Sequence, residues 1–468
     1  MDLKRIGNLG YRLLNWIFGI CFFLVVLSLG WRSGRFWAIL AVAGSYWVFR
    51  RFPRIPLFTL WLFLGTVAVN LVWVLWLDPR PASDFSLMHS AAQSLLRGDL
   101  SFNANPYFIL WSYQLPFVAL EALLLWFWND PMCIQIFNCL CAAGSVCLLY
   151  RMLRGQVSGA AAKTTAVCLM MFPTIGAMSS LLTNQCAGAF FLILGVWLVC
   201  SDDGKKLGFA RYPLAGLAIQ MGNLLRPEGV IVLVALLAYG VFFVLRHPDT
   251  VKRAALAAAA LAAVYLLTGA AANQAVIRTG LSHHGVGNQL PQWKFVCGTS
   301  FETNGGYAAK DYELLADTLD EHSLPTERTD AVVREILSER LSHPLTDWTD
   351  LLRNKLDRFW NKPGTGWAFV DIVERSPDFQ KNIRPVIEEF DRTLFWLAAM
   401  LSMAGLLLKK KEPRQFVPYF VFFAAFAAFL LIEVQPRYAY LPDFFLIAAG
   451  AWGIARIEQF FANEADKC

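Results

Sequence analysis

Charge is what this 468-residue chain has least of: charged residues are 16% of it, where a soluble domain carries about a quarter. That scarcity excludes a water-soluble globular fold. Hydrophobic residues are 57% of the chain and the mean hydropathy is +0.46, so the core of the protein lies in a membrane. The chain also lacks Walker, GxSxG, zinc and dinucleotide signatures, and nothing in it calls for a cofactor. No nucleic-acid motif is present either: the net charge of +6 comes from basic residues clustered at the ends of apolar runs, as membrane topology requires. The ten cysteines form no disulfide framework. Cys133, Cys139, Cys141 and Cys147 lie inside apolar runs as packing residues, and Cys297, in a polar segment, has no obvious partner. The first apolar run, Leu13–Gly30, follows Lys4, Arg5 and Arg12 without a small-x-small cleavage site, which predicts a retained signal anchor with a cytoplasmic start.

Hydrophobic segments recur at about 13–30, 36–49, 57–77, 108–128, 132–150, 161–181, 184–200, 212–225, 229–246, 254–275, 391–408, 416–432 and 438–455. These about 12–13 segments predict an all-α polytopic bundle. Basic joints at 50–54, 151–154, 205–211, 246–253 and 409–411 read as cytoplasmic. Residues 78–107, Arg226-Pro227-Glu228, the polar segment 276–390 and Glu433–Tyr438 then fall on the opposite side. Thirteen crossings do not return both ends to one side, and Pro116 and Glu121 mark 108–128 as the segment most suited to be broken or re-entrant. The organisation expected is a transmembrane module over 1–275 with a first large loop at 78–107, a mainly helical extracytoplasmic loop domain over 276–390, and C-terminal transmembrane helices over 391–468. Within the loop domain, Ala331–Leu341 and Trp348–Phe359 show helical spacing, with Pro363-Gly364 stopping the second.

The sequence Asp78-Pro79-Arg80-Pro81-Ala82-Ser83-Asp84-Phe85 sets two carboxylates directly after the run Leu57–Leu77. From Asp84 to Arg97 the apolar residues Phe85, Met88, Ala92, Leu95 and Leu96 share one helical face, and Ser86, His89, Ser90, Gln93 and Arg97 the other; Gly98 ends the helix. Asp84 at the N-terminus of such an interfacial helix is kept ionised by the macrodipole and can accept a proton, although an aspartate there also serves as a plain N-cap. Arg226 and Arg437 each stand beside a proline at the outer end of an apolar run. A guanidinium at that depth is suited to gripping a phosphate, or, more plainly, to pairing with Glu228 or Glu433 as a helix-end anchor. His283 and His284 follow a span, where they are candidates to contact phosphate or acceptor, and they carry too few further ligands for a metal site. Trp293 and Lys294 combine a sugar-stacking ring with a cation, or anchor the interface. Tyr113, Gln114 and Glu121 line whatever cavity a broken helix leaves.

A Ser-Asp-Phe followed by a short helix and Gly98-Asp99 in the first large loop resembles the GT-C glycosyltransferases. Asn105-Pro106-Tyr107 leading to Tyr113-Gln114-Leu115, Leu225-Arg226-Pro227-Glu228-Gly229, and Glu433-Val434-Gln435-Pro436-Arg437-Tyr438 are similar to bacterial members related to protein O-mannosyltransferases and the lipid A aminoarabinose transferase. The resemblance implies a GT-C-type helix bundle in the cell membrane, with an extracytoplasmic site that moves a sugar from a polyprenyl-phosphate donor to a hydroxyl acceptor on a glycopolymer, lipid or protein, with inversion. It implies Asp84 as general base, Arg226 and Arg437 on the donor phosphate, no metal and no cofactor. Asp78, held apart from Asp84 by two prolines, departs from the adjacent acid pair of some members. Two other readings remain open: a lipid-carrier flippase or transporter, and an O-antigen ligase-like transferase with a lipid diphosphate donor.

Overall fold

A computed structural model describes residues 33–361, 377–407 and 413–465. The expected anchor Leu13–Gly30, the Pro363-Gly364 stop and the basic joint at 409–411 lie outside the described residues. Within them the regular structure is helical throughout, an all-α polytopic membrane fold. Six helices are long and apolar enough to cross a bilayer: Phe58–Leu77, Pro131–Leu153, Gly229–Arg246, Pro248–Arg278, Pro413–Leu431 and Pro436–Ala462. A bent pair, Gly159–Met170 and Pro173–Ser179, adds a seventh if it counts as one span.

The remaining apolar segments among the described residues form shorter or more polar helices, Gln185–Cys200, Arg211–Leu225 and Arg384–Gly405 among them. Protein, more than lipid, surrounds these. Arg211–Leu225 packs between Gln185–Cys200 and Val251–Arg278, and Arg384–Gly405 packs on Gly34–Arg51 and Tyr440–Ala465. Small residues make such approaches possible in a membrane, where packing replaces the hydrophobic drive. Gly216 lies directly against the Leu261 carbonyl, with no room for a side chain. Outward faces carry the opposite chemistry: Leu237, Leu245, Leu266 and Leu267 are exposed and meet hydrocarbon.

The segment expected at 108–128 is broken into three pieces. Asn105 caps Pro106–Leu110 by accepting from the Tyr107 N–H at 2.9 Å, a short turn follows at Ser112–Gln114, and Leu115–Phe127 resumes behind Pro116. The backbone freed by the break is met from the loop domain: the Tyr113 N–H donates to Gly287 O at 2.9 Å and the Gln289 N–H to Leu110 O at 2.8 Å. Non-helical backbone buried in protein is the form that a membrane tolerates.

Residues 276–390, expected as a loop domain, hold more helix than the spacing suggested: Trp293–Gly298, Ala309–Ala316, Glu327–Leu341 and Leu345–Leu356. The third starts four residues before the predicted Ala331, because Thr326 and Thr329 form a capping box. Leu290, Trp293, Val296, Cys297, Leu315 and Val333 build a small core shared with Leu110, which seats this domain on the broken helix. All the cysteines among the described residues are free.

Candidate functional site

Asp78 ends Phe58–Leu77 in a left-handed conformation, φ 38°. Pro79 and Pro81 hold the next residues out of a helix, and the chain re-enters one at Ser83–Leu96. This helix begins one residue earlier than expected. Its N-cap falls on Ala82, which has no side chain to cap with, so Asp84 is the acid of the first turn and not the cap. The carboxylate is therefore released from backbone duty. One oxygen, Oδ2, accepts from Arg437 Nη2 at 3.2 Å, and Oδ1 from the Ser83 hydroxyl at 3.4 Å.

Arg437 arrives from the other end of the chain, on the turn Pro436–Ala439. Its guanidinium lies 5.1 Å from the centre of the Phe85 ring and 5.6 Å from that of Tyr438. The Tyr438 ring also carries Arg226 at 4.8 Å and Lys294 at 5.6 Å. Three cations thus gather at one aromatic ring, an arrangement that cation–π attraction favours most where water is scarce. Each also has a carboxylate. Arg226 Nε meets Glu228 at 2.7 Å, Lys294 Nζ meets Glu433 Oε2 at 2.5 Å, and Arg437 meets Asp84. Glu433, the plain partner first weighed for Arg437, belongs to Lys294 instead, and its other oxygen accepts from Gln435 Nε2 at 2.7 Å.

Backbone geometry fixes this pairing. The Glu433 N–H donates to Lys294 O and the Val434 N–H to Gly305 O, both at 2.8 Å, so the chain after Pro413–Leu431 runs against the loop domain. Burial works against charge on Glu433, yet the Lys294 ammonium and its hydrogen bond, with help from Gln435 and Arg437, outweigh it and hold the carboxyl below the usual carboxylate range. Burial likewise opposes the Lys294 ammonium, and Tyr438, Glu433 and Tyr113 more than compensate, raising it above the ordinary lysine value. Both members of the pair stay ionised.

Tyr113 lies within electrostatic reach of Lys294, Tyr438, Arg226 and Glu433. Tyr107 lies within reach of Asp84 and Arg437. Gln114 links the two regions, donating to the Tyr107 hydroxyl at 3.2 Å and accepting from Asn184 at 3.1 Å. The structure thereby brings Asp84, Arg226, Glu228, Lys294, Glu433, Arg437, Tyr113 and Gln114 to one place. It sets three other sequence candidates apart. Trp293 is 2% exposed and packs edge-on to Tyr307 and Tyr312 in the loop-domain core. His283 and His284 are exposed at a turn closed by the His284 N–H on Ser282 Oγ.

Several residues here had no place among the sequence candidates. Tyr438 is the shared ring, and Tyr107 touches the Gln114 network. His89, on the polar face of its helix, is buried, with Nδ1 2.6 Å from Glu121 Oε1 and Nε2 3.0 Å from Gln93 Nε2. The i, i+4 spacing of His89 and Gln93, with Glu121 in an apolar run, was the available signal. Among the described residues no three His, Cys, Asp or Glu side chains group as a metal site would need.

Residues 114–273 match the family model described as dolichyl-phosphate-mannose-protein mannosyltransferase. That stretch carries Gln114, Asn184, Arg226 and Glu228. Among solved structures, the chain is similar to the archaeal oligosaccharyltransferase AglB from Archaeoglobus fulgidus in complex with an inhibitory peptide and a dolichol-phosphate: 14% identity, TM-score 0.48, over 89% of this chain and 52% of that one. The apo oligosaccharyltransferase of the same organism gives 14% identity and TM-score 0.48, over 87% and 52%. The chain thus spans about half the length of the solved structures that it matches. No curated protein matches it. The mannosyltransferase-family match thus lies across the central helices of an all-α polytopic membrane fold.

Proposed function

We propose that this protein transfers a sugar from a polyprenyl-phosphate donor to a hydroxyl acceptor at the extracytoplasmic face of the membrane, with inversion. The observation that carries the reading is the contact between Asp84 and Arg437, made beside the Tyr438 ring that Arg226 and Lys294 share. Asp84 pairs with one of the three cations gathered at that ring, and Glu228 and Glu433 pair with the other two. In the reaction, Asp84 takes the proton of the acceptor hydroxyl as its oxygen bonds to the anomeric carbon. The bond from that carbon to the phosphate oxygen breaks on the opposite face, and the electron pair leaves with the phosphate. Arg437 and Arg226 receive the charge that develops there, where fixed donors in a dry site lower the barrier most. Entry of the phosphate also draws Arg437 from Asp84 and frees the carboxylate to act as base. Tyr113 and Gln114 are placed to contact the sugar or the acceptor.

The side of the membrane is supported by the far end of the bundle. There Arg151 and Arg154 meet Asp203 at 2.9 and 3.2 Å, Lys206 meets the same carboxylate, and Lys205 and Arg414 meet Asp202. Three basic stretches converge on one face, which the positive-inside rule assigns to the cytoplasm.

The test is the purified protein in nanodiscs with a polyprenyl-phosphate sugar and a hydroxyl acceptor, scored for a new glycosidic product and for released polyprenyl phosphate. Transfer that Asp84→Asn abolishes is the expected result. A protein that moves the lipid across sealed vesicles and releases sugar from no prenyl-phosphate donor is a flippase, and the proposal is then wrong; turnover of lipid diphosphates alone overturns the donor class.

A further inference from the structure

Lys355 is 1% exposed, at the end of the loop-domain helix Leu345–Leu356. Its ammonium donates three hydrogen bonds, all to backbone carbonyls: Gly298 O at 2.9 Å, Leu430 O at 2.7 Å and Ile432 O at 2.9 Å. Gly298 closes the helix Trp293–Gly298, which carries Lys294. Leu430 belongs to the last turn of Val417–Leu431, whose carbonyls have no partner within the helix, and Ile432 precedes Glu433. One side chain therefore ties the two segments that present the Lys294–Glu433 pair. The contact is close: a Cβ on Gly298 would strike the Leu431 carbonyl oxygen and the Ile432 backbone, and one on Gly305 would strike the Lys355 stem at 2.7 Å.

We propose that Lys355 is a positioning residue for donor binding, acting through the backbone to hold Lys294 and Glu433 against Tyr438. The inference rests on the transferase reading for its kinetic readout and on the three carbonyls for its geometry. All three protons of the ammonium are used, so the neutral amine, with two, releases one carbonyl. Burial brings the Lys355 value down to about 8. The charged or titratable groups carried by the segments packed on it are Lys294 and Cys297 on one, Glu433, Arg437 and Tyr438 on the other, and Arg353, Asp357 and Arg358 on its own. Of these, burial pushes Cys297 up to about 12, Lys294 is raised and Glu433 is lowered, away from the range in which Lys355 changes.

The sign of the stability effect separates positioning from unfolding. A lysine lowered in the fold binds fewer protons there than in the unfolded chain between about pH 8 and its ordinary value, so its contribution to stability rises across that window. Donor use should fall over the same window. The experiment measures KM for a polyprenyl-phosphate sugar from pH 7 to 9.5, with wild type, Lys355→Arg and Lys355→Met, alongside hydrogen exchange on the ligand-free proteins. Wild-type KM should rise about fivefold, the worth of one hydrogen bond, with kcat little changed. Lys355→Arg, which stays charged, should lose that rise, and Lys355→Met should show the raised KM at every pH. The amides of Glu433 and Val434 should lose protection in Lys355→Met while Pro131–Leu153 keeps it. A flat wild-type profile, an alkaline rise retained by Lys355→Arg, or a folded Lys355→Met with wild-type KM overturns the inference. If no variant, wild type included, transfers sugar, the transferase reading fails by itself and the exchange data decide: lost protection at Glu433 and Val434 upholds the backbone tie, and unchanged protection removes it.

Discussion

The two ends of the helix bundle are built from the same ingredients and differ in how they are wrapped. At the basic end, Arg151, Arg154 and Lys206 surround Asp203 with 39%, 47% and 77% of their side chains exposed. At the candidate site, Arg437 is 8% exposed, Arg226 16%, and Glu433 2%. Exposed pairs contribute about 0–1 kcal/mol, whereas removing one partner of a buried pair costs about 3–5 kcal/mol. The same kinds of contact are thus screened by solvent at one end and desolvated at the candidate site. Aromatic rings meet cations at both ends, Phe85 and Tyr438 at the site and Trp197 over Arg151 at the basic end, so the difference lies in burial.

That contrast breaks most sharply at Asp84. Asp84→Asn keeps a hydrogen-bond acceptor for Arg437 and the first turn of the helix, yet should lower turnover by about 10²–10⁴-fold with the thermal midpoint little changed; retained transfer would leave the carboxylate a structural role. Next in size is Glu433→Gln, which strands the Lys294 ammonium and should cost about 3 kcal/mol in unfolding from detergent. Its pH signature has a definite sign. Because the Glu433 carboxyl is held below its ordinary value in the fold, its contribution is present above the unfolded value and lost as pH falls through the folded one. Wild type should therefore lose stability on acidification more steeply than Glu433→Gln, and parallel curves would deny the pair its weight. Arg437→Lys should raise donor KM about tenfold, since an ammonium lacks the fork that grips two phosphate oxygens; an unchanged KM takes Arg437 off the phosphate. Smallest of all, Arg154→Gln at the basic end should shift stability by about 0.5 kcal/mol or less and leave transfer untouched. A loss as large as that of Glu433→Gln would erase the distinction between the two ends.

The positions of the site charges were legible in the sequence because proline announces them. Pro227 and Pro436 end or begin helices next to Arg226 and Arg437, and apolar runs set the depth. Their partners were not legible. Arg437 meets Asp84 across 353 positions and Lys294 meets Glu433 across 139, which local spacing does not encode. The partner of His89 was not legible because a period of 3.6 separates polar from apolar faces but does not show that Glu121 waits behind the polar one. Trp293 fits sugar stacking by composition, yet a small loop domain needs a core of its own, and this ring fills it. The shorter helices followed the same logic: a run too short for lipid still reads as apolar when its neighbours are protein.

The helix Val251–Arg278 has 28 residues, about 42 Å of rise against a hydrocarbon layer of about 30 Å, and only 6% of its apolar window is covered by protein. Lipid meets most of its surface, while Arg211–Leu225 packs along one face. Near its upper end Asn273 Oδ1 accepts from the Val286 N–H at 2.8 Å, and Gly285, at φ 75°, packs on the same side chain. Residues 287–289 then hold the broken segment at Leu110–Tyr113. A thinner bilayer tips the helix, and the tilt is handed along this chain of contacts to Tyr113. Transfer measured in lipids of graded acyl length should accordingly show an optimum, and Asn273→Ala should flatten it, making membrane thickness an input to the site.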